Sequence, residues 1–152
     1  MKNKNLIRGI IMLVIGIIWL GLAIYFYIAK DTTREKLEGI SFVLKDDYYI
    51  RKVIQDETTY EEIVHPIDNE FIRMTNIEGE KEVYSYNYEK DTFTYLYYFE
   101  DELIMKLIYG YESNKVIEDK NNLYEDLEED IAALRTYFED LLEENKIEKD
   151  EL

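Results

Sequence analysis

Residues 80–99 read EKEVYSYNYEKDTFTYLYYF, two alternating runs around the polar break EKD at 89–91. A period of two belongs to a strand, because successive side chains leave a pleated backbone on opposite faces. Tyr84, Tyr86 and Tyr88 share one face of the first run, and Phe93, Tyr95, Tyr97 and Phe99 share one face of the second. So short a break joins antiparallel neighbours, since a parallel crossover needs about a dozen residues or more. Across such a hairpin the two aromatic sets form a single patch. The opposite faces, Val83, Ser85, Asn87 and Thr92, Thr94, Leu96, Tyr98, are more polar. Burial of apolar area therefore turns the aromatic face toward whatever covers the sheet. Left open, the same seven residues would make a platform for a peptide or a cell-wall sugar, because tyrosine joins contact area to a polar tip.

The alternation spreads outward from this hairpin. ISFVL (40–44), YYIRKVI (48–54), TTYEEIV (58–64) and EFIRMTNI (70–77) precede it, and LIMKLIYGY (103–111) follows. These runs are rich in the β-branched and aromatic residues that suit a pleated surface. The connections KDD, HPIDN, EGE and EDE are short and polar, and Pro66 falls in one of them, where no ladder hydrogen bond is lost. The pattern predicts an antiparallel β-meander of five to seven strands.

Downstream, DKNNLYEDLEEDIAALRTYFEDLLEEN (119–145) changes to the helical period. Leu123, Leu127, Ile131, Leu134, Phe138 and Leu141 recur at spacings of four and three and give one apolar face. Asn121 or Asn122 is the expected cap, and Glu125 and Asp126 favour the positive end of the helix. Fewer than three heptads, flanked almost everywhere by acids, argue against a self-pairing coiled coil, so the helix is expected to pack on the sheet. KIEKDEL (146–152) is expected to fray. Its last four residues spell an endoplasmic-reticulum retention signal, read here as coincidence in an acidic chain whose composition resembles that of an AT-rich bacterium.

Upstream, RGIIMLVIGIIWLGLAIYFYIAK (8–30) contains 21 uncharged residues, Gly9 to Ala29. As a helix these cover about 31 Å, one hydrocarbon core. Twelve are Ile, Leu, Val or Phe, each favouring insertion by about 0.3–0.6 kcal/mol. Tyr25 and Tyr27 stand at the far end, where an aromatic belt belongs. The apolar run passes through the weak cleavage site Gly21-Leu22-Ala23 and outlasts a signal-peptide core, which predicts an uncleaved signal anchor. Lys2, Lys4 and Arg8 hold the short tail inside, while long downstream domains cross largely regardless of charge. The expected order is a cytoplasmic basic tail (1–8), a transmembrane anchor (9–29), a juxtamembrane stalk ending at Gly39 (30–39), an extracytoplasmic acidic domain (40–145) and the tail (146–152). The fold class is α+β, with a single N-terminal transmembrane helix, the meander, and the long amphipathic helix packed on it. Gly9, Gly16 and Ala23 recur every seven residues, a stripe of small side chains along which a second membrane helix could approach.

Residues 31–152 hold all 34 acids against 14 bases, a formal charge of −20. Such a domain is repelled by nucleic acid, so the expected partners are the lipid bilayer and a membrane or cell-envelope protein. With no cysteine, disulfides, thiolate metal sites and cysteine nucleophiles are excluded. His65 is the single histidine and sits beside Pro66 in a polar connection, so neither a histidine metal pair nor a Ser-His-Asp set can be built by spacing. There is no glycine-rich phosphate loop, and the carboxylates of EDE (100–102) and EDLEED (125–130) lack the spacing of an EF-hand. No catalytic, cofactor-binding or metal residue is assigned. The expected function is that of a non-enzymatic accessory or protein-interaction protein, with a membrane-tethered or secreted ligand-binding module using the tyrosine face as the second reading.

Overall fold

A computed structural model describes residues 2–152, with side chains placed for 8–27 and 33–152; the side chains of Lys2, Lys4 and Lys30 lie outside them. Helix α1 runs unbroken from Lys2 to Gly39. Eight strands follow: β1 (Val43–Lys45), β2 (Tyr48–Gln55), β3 (Thr58–His65), β4 (Glu70–Ile77), β5 (Glu80–Asn87), β6 (Thr92–Phe99), β7 (Glu102–Gly110) and β8 (Lys115–Lys120). Helix α2 (Tyr124–Glu144) and a 3-10 turn at Lys149–Glu151 complete the chain. Every strand pairs antiparallel with its sequence neighbour, in the order β1 to β8.

The two ends of the sheet turn differently. At one end the hairpins close through the pairs Asp56-Glu57, Glu78-Gly79 and Glu100-Asp101, all with φ between 48° and 91°. Positive φ at both central residues matches the right-handed twist of the strands, and it normally selects asparagine or glycine. At the other end β1 and β2 close through the two-residue turn Asp46-Asp47 and the remaining loops are longer, with Asp46, Asn69, Asp91 and Asn114 each supplying one left-handed residue. These acidic turns are visible as punctuation in the sequence, but their left-handed geometry is not what Glu or Asp would lead one to expect.

Registers carry one aromatic row across the inner face. Tyr49 pairs with Val64, Val64 with Phe71, Phe71 with Tyr86, Tyr86 with Phe93, and Phe93 with Tyr109. No member of this row is more than 8% exposed. Helix α2 lies on it through Leu127, Ile131, Leu134, Phe138, Leu141 and Leu142. Phe138 stacks on Phe71 with ring centroids 4.6 Å apart and meets Tyr86 edge-on at 6.2 Å.

The strand count exceeds the expected five to seven. The additional strand, β8, is the short KVIEDK, whose final Asp119 and Lys120 read in the sequence as the start of the helix. The cap is corrected with it. Asn121 (φ 82°) and Asn122 (φ 55°) make the turn out of β8 instead of capping, and Leu123 occupies the N-cap with no side-chain bond of its own. The backbone N–H groups of Leu123 and Tyr124 donate instead to the Asp119 carboxylate, at 2.8 and 3.2 Å. The tail is not frayed either. Ile147 is 4% exposed, Leu152 packs against the core, and Lys149 Nζ is 2.8 Å from Glu139 Oε1.

Residues 33–39 of the expected stalk pack on the domain through one side of the helix. Thr33 and Leu37, one turn apart on α1, are 3% and 0% exposed. The Lys36 ammonium donates to the carbonyl of Lys146, tying α1 to the C-terminal segment. The helix ends at Gly39, as its sequence predicts, and Ser41 turns the chain at φ 73° to bury Phe42.

Candidate functional site

Three regions of the chain carry features beyond ordinary packing: the aromatic face, a buried carboxylate beneath α2, and the uncovered side of the sheet. The aromatic patch is assembled as its alternation implies, with Tyr84 opposite Tyr95 and Tyr86 opposite Phe93. It is covered. Tyr86, Phe93 and Tyr95 are at most 6% exposed, and Tyr84, Tyr88 and Tyr97 pack half-buried against the same core. Only Phe99, at the hairpin end, is exposed, at 45%. The platform on which the ligand-binding reading rests is thus core, sealed by α2. Burial also raises the phenol pKa values of Tyr84, Tyr86 and Tyr95, and pushes that of Tyr88 up to about 12. Tyr86 donates to Asp91 Oδ1 at 2.9 Å and Tyr95 to Glu82 Oε1 at 3.1 Å, which holds both rings in place.

Glu62 was not singled out by sequence and is the most unusual side chain in the fold. It is 0% exposed, in the inner phase of β3 between Tyr60 and Val64. Arg51 Nε donates to one of its oxygens at 2.8 Å and the Tyr137 hydroxyl to the other at 2.7 Å. Arg73 Nε lies 3.5 Å from the second oxygen. The Arg51 guanidinium also reaches the carbonyl of Ile40 at 2.9 Å and covers the Phe42 ring at 4.6 Å. Arg73 covers Tyr60 at 3.9 Å. One carboxylate therefore joins β2, β3 and β4 to α2, and Arg51 extends the link to the end of α1. A buried charge is tolerated only when paired and hydrogen-bonded, which this one is on both oxygens. Its signal in the sequence is an acid in the apolar phase of TTYEEIVH, with arginines in the same phase of both neighbouring strands.

Lysine and arginine are segregated by face. Both strand arginines, Arg51 and Arg73, point inward beside Glu62. The registers put all six strand lysines, Lys45, Lys52, Lys81, Lys106, Lys115 and Lys120, in the outer phase. Only three strand acids, Glu61, Glu70 and Glu118, share that face. Planar, weakly hydrated guanidinium suits buried pairing, whereas a strongly hydrated ammonium stays in water. The consequence is a net basic face on a domain of charge −20. Ile50, Ile63, Ile72 and Ile108 lie half-exposed along its centre. A shallow depression of about 230 Å³ opens there between Lys52, Glu61, Met74 and Lys81.

His65 also lies on the outer face. It stacks on Tyr48 at 5.7 Å, and its Nδ1 is 3.1 Å from Asp68 Oδ2. Among the described residues no three His, Asp or Glu side chains are grouped to hold a metal ion. In α1 every side chain from Arg8 to Tyr27 is exposed, and this stretch is long and apolar enough to cross a membrane. Gly9, Gly16 and Ala23 are bare, and a Cβ added at either glycine would meet nothing within 4 Å. No family model, no curated protein and no solved structure matches the chain.

Proposed function

We propose that the protein is a membrane-anchored, non-enzymatic accessory or protein-interaction protein, with its N-terminus cytoplasmic and its acidic α+β domain outside the cell membrane. The observation that carries this reading is the continuity of α1. The bare 20-residue stretch Arg8–Tyr27, uncharged after Arg8, passes without a break into a segment whose Thr33 and Leu37 are buried in the domain. A helix built this way holds the domain at a fixed distance from the bilayer and in a fixed rotation about the helix axis, which suits contact with another membrane-bound protein. The aromatic platform being closed, the contact surface lies on the uncovered side of the sheet.

Photo-crosslinking groups placed on that face, at positions such as Ile63 and Thr94, should give discrete protein adducts in intact membranes. Repeated absence of any adduct would remove protein contact as the task of this domain.

A further inference from the structure

Helix α1 runs alongside β2 in the same sense, which decides the end of the sheet that faces the bilayer. Burial raises the Tyr49 pKa, and the charges of Arg34 and Glu38 act on the same phenol in opposite directions. Lys36, between them in sequence, reaches Glu151 at 3.4 Å, in a C-terminal segment whose Lys149 covers the Tyr86 ring at 5.5 Å. Lys36 is therefore level with the row from Tyr49 through Val64 and Phe71 to Tyr86. Four residues later the carbonyl of Ile40 accepts at 2.9 Å from Arg51, two residues beyond Tyr49. Over that interval the helix advances about 6 Å and the strand about 7 Å. The turn Asp46-Asp47 and the loops 66–69 and 88–91 thus point toward the apolar stretch of α1. The turns at Asp56-Glu57, Glu78-Gly79 and Glu100-Asp101 point away from it.

At the tip of the loop between β3 and β4, Ile67 is 69% exposed. The loop itself is held in place. The Asn87 amide donates to the carbonyl of Asp68 at 2.9 Å, the Asn69 amide to Glu89 at 2.7 Å, and the Tyr88 N–H to the carbonyl of Asn69 at 2.9 Å. Pro66 brings no N–H. The tip therefore offers an apolar side chain with few free polar groups to desolvate. Ile67 lies three residues beyond Val64, a descent of about 7–10 Å. The same descent along α1 from Lys36 ends at about residues 29–31, where the uncharged stretch Gly9–Ala29 gives way to Lys30. The headgroup layer outside the hydrocarbon is about 5–7 Å thick, and Ile67 falls within it.

We propose that this end of the domain is a second membrane contact, in which Ile67 inserts into the headgroup layer of the bilayer that α1 crosses. Tyr48, stacked on His65 at 5.7 Å, lies at the same end with the amphipathic ring that suits this depth. The residues 46–47, 66–69 and 88–91 carry five acids against one base, Lys90. The contact is accordingly apolar, and anionic headgroups oppose it. Attachment at both α1 and Ile67 sets the rotation of the domain about the helix. The strands beside α1 then stand upright on the membrane, and the uncovered face looks sideways, toward a neighbouring membrane protein. The inference rests on the reading that α1 crosses the bilayer.

Unmodified full-length protein can be reconstituted in zwitterionic bilayers containing a lipid with a diazirine on its acyl chain next to the headgroup. After photolysis, peptide mass spectrometry should find lipid adducts on residues 20–30 of α1 and on residues 65–68 of the loop. The three distal turns should carry none. Ile67→Ser, at a position whose exposure leaves the fold unchanged, should lower the loop adducts at least about threefold with the α1 adducts constant. Added anionic lipid should lower them as well, and salt should reverse that loss. Adducts on α1 without any on 65–68 overturn the proposal and leave the anchor in place. Equal loop adducts from Ile67→Ser overturn it too, because they report proximity without insertion. Equal labelling of the distal turns would show the domain lying on its side, and loop adducts that rise with anionic lipid would assign the contact to charge; either result contradicts apolar insertion at this end. No adducts on α1 removes the anchor reading itself.

Discussion

Glu62 concentrates the cost of this fold at one residue. Its neutral isostere leaves Arg51 and Arg73 facing each other without a counter-charge, so Glu62→Gln should destabilise the domain by about 3–5 kcal/mol, seen as a lowered thermal midpoint. Tyr137→Phe removes one donor to the same carboxylate and should cost about 1–2 kcal/mol; a Glu62→Gln protein as stable as the parent would show the network to be incidental. The buried tyrosines set a second residue-scale expectation. Their folded pKa values lie above the unfolded value of about 10, mainly through desolvation of the phenolate. The neutral phenol is favoured in the folded state, so this stabilisation is complete below pH of about 10 and is lost as pH rises through the folded values. Tyrosinate absorbance should therefore show the exposed rings titrating first. Tyr84, Tyr86, Tyr95 and Tyr111 should ionise only with cooperative unfolding, whereas a single smooth titration of all 15 tyrosines would contradict their burial. Turn residues offer the reverse effect. Asp101 holds φ 66° with a Cβ, so Asp101→Gly should raise stability by about 1 kcal/mol in denaturant titration.

At the scale of elements, α2 is the lid that decides whether the aromatic face is core. Phe138 is 0% exposed between Phe71, Tyr86 and Tyr88, and Phe138→Ala should cost about 3–5 kcal/mol and increase binding of a hydrophobic dye. Asp119→Ala removes the carboxylate that satisfies the first amides of α2 and should cost about 1 kcal/mol. Most of these elements were legible in the sequence because period decides them. The hairpin at 80–99 assembles with Tyr84 opposite Tyr95, as alternation requires, and the apolar residues of α2 at spacings of four and three are its buried ones. What escaped is what tertiary contact decides. β8 is six residues long and gains its place only by pairing with β7, with Ile117 bulged between the paired residues. Asn121 and Asn122 are residue types equally suited to a cap and to a left-handed turn, and only the position of Asp119 on β8 settles which. Ile147 reads as the start of a solvated tail, because KIEKDEL carries only two apolar residues, Ile147 and Leu152, among five charged ones, and both find their place only against the folded core. Glu62 escaped because an acid flanked by another acid, Glu61, reads as solvated until the arginines of two other strands are placed beside it.

At the scale of the molecule, α1 runs without a break from its bare apolar stretch into the packing of the domain. Leu37 is fully buried where α1 meets the sheet and Phe42, so Leu37→Ala should cost about 2–5 kcal/mol and loosen the helix from the domain, read as faster proteolysis between residues 30 and 42. Gly16→Leu should leave the fold unchanged, since nothing lies within 4 Å of that position. An altered association of α1 in the membrane would assign Gly9, Gly16 and Ala23 a second, separate contact. The claim on which the rest depends is that α1 crosses the bilayer and carries the domain outside. Because the chain has no cysteine, single cysteines at Lys2, Leu20 and Asp101 can be probed in intact cells with a membrane-impermeant maleimide. Asp101→Cys should react at once, Lys2→Cys only after the membrane is opened, and Leu20→Cys in neither state until detergent is added. Reaction of Leu20→Cys in intact membranes, or of Lys2→Cys ahead of Asp101→Cys, would contradict it.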